Sequence, residues 1–223
     1  MNLSKITEFF DPSTCTERVH IIGCGSVGST IAENLVRCGI QKLTLWDFDD
    51  VVPHNIVNQM FFERQIGMKK VEALKEILVG INGEAESKIK IKPNGWNGEV
   101  LSGYIFLCVD NIDLRRKIVE NNMNTAFIKA IFDVRTELTG AQHYAADWSS
   151  VRQRENLLST MQFSHEEASS NEHVSACGVT LGVATTVRLV SAIAVNNFLN
   201  FVKSGKIWKF SIFDGFKGTY DCV

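Results

Sequence analysis

The chain has 223 residues, 45% of them hydrophobic and 22% charged, with a formal charge of −2. That balance excludes a disordered or collagen-like chain and suits one globular unit burying roughly 70% of the surface its unfolded form exposes. Lysines and arginines are scattered among the acids, so nucleic acid is not an expected partner.

Val19–Ile22 is a short apolar run ending in glycines, and Val27 to Cys38 then carries apolar residues at helical spacing. Lys42–Trp46 predicts a strand closing on Asp47, Met68–Val79 a second amphipathic helix, and Ile89–Ile91 a modest strand. Tyr104–Val109 predicts a strongly apolar strand ending at Asp110, followed by a helix over Ile112–Asn121 and a strand over Ala126–Phe132. Strand and helix alternating in this rhythm imply an α/β fold, a Rossmann-like, doubly wound, mostly parallel sheet over residues 1–135.

The remainder, 136–223, has a different texture. Leu138–Ala146 predicts a strand facing back over the first sheet, and Asp147 to roughly Ala176 a polar, aperiodic crossover loop of the length that loops reach when they serve function. Gly178–Val202 predicts a long core helix; Arg188, Asn196 and Asn197 interrupt it, so it is not a membrane span. Trp208–Phe213 and Gly218–Cys222 predict a closing antiparallel hairpin around Asp214-Gly215. The N-terminal residues lack the apolar core of a signal peptide, and six widely spaced cysteines without a Cys-x-x-Cys pair suit a reducing, cytoplasmic setting.

Gly23-Cys24-Gly25-Ser26-Val27-Gly28 follows a strand and opens a helix, the context a nucleotide-binding turn requires. The first glycine permits the tight turn, the second lets backbone approach phosphate, and the third lets helix pack on strand. Asp47 ends the next strand about 20 residues on, where a carboxylate can accept ribose hydroxyls.

Three further strings, WDFDDVVPHNIVNQ, IGMKK and CVDNIDLRR, follow in order. With them the chain resembles the ThiF/MoeB/HesA family, which also contains the ubiquitin-activating enzymes. Asp47, Asp49, Asn55, Gln59, Lys70, Asp110, Asn111 and Arg115 fall on that family's motif positions, and the similarity continues through Arg135 and the late helix. The resemblance implies adenylation of the C-terminal carboxylate of a small ubiquitin-like or sulfur-carrier protein. ATP would be held by Gly23, Gly25, Gly28, Asp47, Asp49, Asn55, Asn58, Gln59, Lys70, Asn111 and Arg115, with magnesium on Asp110. It also implies a homodimer, with the late helix or the hairpin as candidate interface.

Elementary chemistry agrees with it. The attacking carboxylate belongs to the substrate, so no catalytic Ser, Cys or His is demanded; the enzyme aligns reactants and neutralises phosphate charge. Lys70 near a helix start can meet phosphate oxygens, or be one more solvated lysine. Asp110 at a strand's C-terminal end can hold magnesium, or cap the helix that follows.

Three departures from the family pattern stand out. Asn58 occupies the position of a usual arginine, with Arg64 nearby as a substitute. The residues before Arg18 offer only Lys5 as a base, leaving Arg152 and Arg154 of the long loop as other sources of charge. The two Cys-x-x-Cys pairs of zinc-binding members are missing, so no zinc is expected. Cys177, beside the predicted start of the late helix, is a candidate nucleophile or a packing residue. Three other readings share the glycine turn: adenylation of a peptide or a modified tRNA, NAD-dependent hydride transfer, and a nucleotide-binding scaffold without turnover.

Overall fold

The computed structural model describes residues 1–169 and 181–223. One eight-stranded sheet runs through the chain, built from β1 (Val19–Ile22), β2 (Leu43–Trp46), β3 (Lys90–Lys92), β4 (Gly103–Leu107), β5 (Ile128–Thr136), β6 (Gly140–Asp147), β7 (Phe210–Asp214) and β8 (Thr219–Cys222). Their spatial order is β3-β2-β1-β4-β5-β6-β7-β8. The first five are parallel and the last three antiparallel. The parallel half is a doubly wound sheet whose order reverses between β1 and β4, the switch point at which such sheets bind ligands. Each of β1 and β2 is buried along its whole length, as a strand with helices on both faces must be. The exposed edge strand β3 reads Lys-Ile-Lys, and its lysines discourage edge-to-edge pairing.

Helices α1 (Ser26–Arg37), α2 (Lys70–Ile81) and α6 (Ala184–Ser204) cover one face. The core beneath them contains Phe106 and Phe132, stacked at 5.0 Å, with Phe198 of α6 set against both. Helices α3 (Ile112–Asn121) and α4 (Val151–Ser159) enclose a second cluster of Trp46, Ile131, Trp148 and Leu157 on the other face. A short α5 (His165–Ser169) follows α4. Among the described residues no helix is long and apolar enough to cross a membrane.

Several expectations are corrected. The strand after β5 does not fold back over the sheet: β6 extends it, pairing with β5 from Ala130↔Asp147 to Thr136↔Ala141. Arg135 lies within β5, not beyond it. The stretch from Asp147 carries α4 and α5 where a loop was expected. α4 buries only Leu157, so its apolar period is nearly silent, while Ser150 caps it by accepting from the Gln153 amide. The late helix begins at Ala184, after an extended Val183, and ends on Gly205 at φ 71°. The hairpin turn spans 215–218, with the Asp214 carboxylate accepting from the amides of Phe216 and Lys217. Most of α6 is spent on α1, β5 and β6, leaving Leu189 among its exposed residues.

Candidate nucleotide-binding site

The glycine turn joins β1 to α1. Gly23 sits at φ +93°, and a Cβ there would come within 2.7 Å of the backbone of Cys108 and Val109. A Cβ on Gly28 would meet the Gly23 carbonyl oxygen at 1.8 Å, so this glycine lets α1 close onto β1. Gly25 is different: the nearest atom to its Cβ position is Gln59 Nε2, at 4.0 Å. No protein neighbour demands a glycine there, and the space remains open to a ligand. Gly25 caps α1 without a side-chain hydrogen bond, and no acid lies in the first turn. The leading amides and the positive end of a 12-residue helix therefore face an anion-ready space.

Gln59 adds a second sign. Its Oε1 is buried without a hydrogen-bond partner, a cost that a bound donor group removes. Asn55 is buried and its Oδ1 accepts from the Val52 amide at 3.0 Å, closing the 3-10 turn Pro53–Val57. Its Nδ2 has no acceptor among the described residues and can donate.

Asp47 follows β2 and is nearly buried. Its Oδ2 accepts from the Cys24 amide at 2.6 Å and its Oδ1 from the Asp49 amide at 2.9 Å. Burial raises its carboxyl above the usual range, against the lowering effect of those amides and of Lys70. Asp47 thus holds the glycine turn, and each oxygen keeps a lone pair for a ribose hydroxyl. Lys70 opens α2 with its Nζ 2.7 Å from Asp49 Oδ2, while its neighbour Lys69 pairs with Asp50 at 2.8 Å.

Asp110 follows β4 at the sheet's C-terminal edge, exposed and without a side-chain partner among the described residues. It does not cap α3; Asn111 does, accepting from the Leu114 amide at 2.9 Å. Asp110 is therefore free to hold a cation, and one carboxylate alongside substrate phosphates suffices for magnesium.

Arg115 does not reach outward. It is buried, with Nη1 donating to the Leu107 carbonyl and Asp133 Oδ1, and Nη2 donating to the Val109 carbonyl. Asp133, which the motif reading missed, is fully buried and also accepts from Arg135 Nε at 2.8 Å. Its only sequence signal was a lone acid inside the apolar run of β5.

Asn58 Nδ2 donates to the Gly182 carbonyl at 3.4 Å, so this position touches the approach to α6. Arg64 is turned to Glu76, 3.2 Å away, and stacks over the Phe62 ring. Arg154 donates to the Met123 carbonyl and lies over Trp148, on the opposite face from α1. Cys177 lies outside the described residues. Cys24 is buried within the turn and Cys108 partly buried beside it; the Cys108 thiol is pushed up to about 12 and that of Cys24 well above its usual value, both chiefly by loss of solvent. Among the described residues no three His, Cys, Asp or Glu side chains stand together as a metal set.

Two cavities lie elsewhere. One of about 350 Å³ is lined by Glu137, Gln142, Ile212, Asp214, Lys217 and Tyr220 on the antiparallel strands. The other, about 220 Å³, lies between α4 and β6–β7, beside Tyr144, Thr160 and Phe210.

Comparison with known proteins agrees with this geometry. The chain is 34% identical over 120 residues to ubiquitin-like modifier-activating enzyme 5 of Caenorhabditis elegans, covering 45% of this chain and 27% of that protein. It is 44% identical over 75 residues to the Gallus gallus protein of the same name, covering 33% of this chain and 19% of that one. The aligned part is thus less than a third of either relative's length. Among solved structures, E. coli MccB with ATP superposes with a TM-score of 0.69 at 16% identity, covering 95% of this chain and 65% of that one. PaaA superposes with a TM-score of 0.71 at 15% identity, again over 95% of this chain and 65% of that one. Such identities show a shared fold. Residues 13–220 match the ThiF family, and the chain belongs to it.

Proposed function

We propose that the chain adenylates a carboxylate with ATP, and that the carboxylate is the C-terminus of a small ubiquitin-like or sulfur-carrier protein. The observation that carries this reading is the open space at Gly25, bordered by the Gln59 amide Nε2 and the leading amides of α1, with the Oε1 of the same side chain unpartnered. A substrate carboxylate oxygen attacks the α-phosphorus, the bond from that phosphorus to the bridging oxygen breaks, and pyrophosphate leaves with the electron pair. Lys70 and the Asn55 amide neutralise or donate to phosphate oxygens, and Asp47 positions the turn and the ribose. Magnesium, held by Asp110, would supply charge neutralisation on the phosphates.

The names of the relatives support a ubiquitin-like acceptor. The antiparallel strands support a route for its tail. β6 begins and β7 ends at the sheet edge where β1, β2 and β4 end, beside the larger cavity. From β7 to β4 is three strand spacings, about 14 Å, a span of roughly four extended residues. We further propose a cytoplasmic homodimer in which Cys177, if it acts, receives the activated acyl group after adenylation.

A second reading, a nucleotide-binding scaffold without turnover, is favoured by one observation. Asn58 is engaged with Gly182 and Arg64 with Glu76, so neither supplies a guanidinium to the triphosphate. ATP–pyrophosphate exchange decides between them. Exchange with the cognate carboxylate and its loss in Asp110→Ala support adenylation; ATP binding without exchange supports the scaffold; calorimetry showing NADH binding but no ATP binding overturns both.

A further inference from the structure

We infer that Arg135 is a positioning residue for Asp110, acting through Asp133 and Arg115, so that the end of α4 sets the geometry of the metal-binding carboxylate. The inference rests on the adenylation reading for its purpose, though not for its geometry.

The links are direct. Arg115 holds the carbonyls of Leu107 and Val109, the residues on either side of Cys108. Val109 immediately precedes Asp110, and the backbone of Cys108 and Val109 is the surface on which Gly23 rests. One guanidinium thus fixes both the floor of the glycine turn and the segment carrying Asp110. Arg115 is itself held by Asp133, which has no exposure to solvent and whose second oxygen receives Arg135 Nη2 at 2.6 Å. Arg135 then spends its remaining donors on α4: Nη1 meets the Thr160 carbonyl and Nη2 the Thr160 hydroxyl, both at 2.8 Å. Thr160 is the C-cap of α4, and the Tyr144 ring supports the guanidinium from below at 4.6 Å.

A carboxylate shared by two guanidiniums in a buried site has no slack. Moving one arginine leaves its partners with unpaired charge, so the three side chains shift together or not at all.

The test combines hydrogen–deuterium exchange of a peptide spanning Cys108–Ile112 with electron paramagnetic titration of Mn²⁺ in the presence of a non-hydrolysable ATP analogue. Arg135→Met should speed exchange in that peptide and weaken Mn²⁺ binding about tenfold, the usual range for residues that orient metal ligands, a larger factor than its effect on metal-free nucleotide affinity. Thr160→Val, which removes one acceptor and leaves the three charges in place, should move both readouts in the same direction by a smaller factor, and it carries the test if Arg135→Met does not fold. If these variants lower only the melting temperature, leaving exchange and Mn²⁺ affinity unchanged, the relay is merely stabilising and the inference is overturned. A wild type that binds no metal–nucleotide sinks the adenylation reading instead; the hydrogen-exchange arm then decides the relay alone.

Discussion

Lys70 Nζ lies 2.7 Å from Asp49 Oδ2, so this cation is already paired before any phosphate arrives. The lysine is buried while Asp49 is half exposed. A triphosphate must share or displace that carboxylate, and a half-exposed acid yields at little cost. The partly solvated pair contributes below about 1 kcal/mol to stability. Lys70→Met should therefore fold normally yet lower pyrophosphate exchange about a hundredfold. Asp49→Asn should leave exchange within severalfold of wild type; a loss as deep as that of Lys70→Met would show the pair itself to be required.

The three glycines of the turn should separate stability from binding. Gly23→Ala meets both a left-handed φ and the backbone of Cys108–Val109, and Gly28→Ala meets the Gly23 carbonyl. Each should destabilise by about 3 kcal/mol, a drop in Tm of roughly 6–12 °C. Gly25→Ala meets no atom closer than 4.0 Å and should stay within about 0.5 kcal/mol of wild type. Its ATP affinity, measured by calorimetry, should fall about tenfold, because the methyl group occupies ligand space. Unchanged affinity would place the phosphates elsewhere.

Stability should fall on the acid side. Burial drops the His20 and His143 imidazoles to about 4, from a usual 6.5. An unfolded chain takes up both protons below pH 6.5, whereas the folded chain refuses them until about pH 4. Their contribution is thus complete above pH 6.5 and is lost between there and pH 4, up to about 3 kcal/mol for each. Asp47, whose carboxyl is raised by burial, works in the opposite sense and offsets part of the loss. Urea unfolding across pH 4–7.5 should show a slope approaching two protons near pH 5; a slope near one would mean that one imidazole is solvated in the fold, and a flat profile that both are.

Cys24 and Cys108 should resist alkylation. A thiol raised to about 12, as Cys108 is, holds only about one thiolate in ten thousand at pH 8. The partly exposed Cys222 should be labelled by iodoacetamide well before the buried Cys24. Peptide mass spectrometry of native protein gives the order, and equal rates would contradict the buried placement of the turn. Cys177→Ser, by contrast, should leave pyrophosphate exchange intact while blocking acyl transfer, if that thiol is the acceptor.

How far the sequence alone could be read depended on how local each cause was. Val19–Ile22 and Ile112–Asn121 were bounded to the residue, because an apolar run into a glycine turn and a helical period opening just after a strand-ending acid are both written in adjacent residues. The start of the late helix was misread because Gly178–Val183 is as apolar as the helix itself, and apolarity does not encode where helical geometry begins. α4 was hidden by its polarity, since one buried leucine leaves almost no period to detect. The place of β6 could not be read either: an alternating strand reports that one face is buried, not which strand it pairs with.

For the site, the sequence by itself located the glycine turn, Asp47, Lys70 and Asp110, because each stands at a strand end or a helix start that adjacent residues mark. Only the tertiary structure decided what those residues already touch. It paired Lys70 with Asp49 across 21 positions, Asn58 with Gly182 across 124, and Arg115 with Arg135 through Asp133. The physical reason is the same in each case. A buried charge must find its partner among whatever side chains neighbouring strands and helices bring near, and that neighbourhood is set by sheet order rather than by distance along the chain.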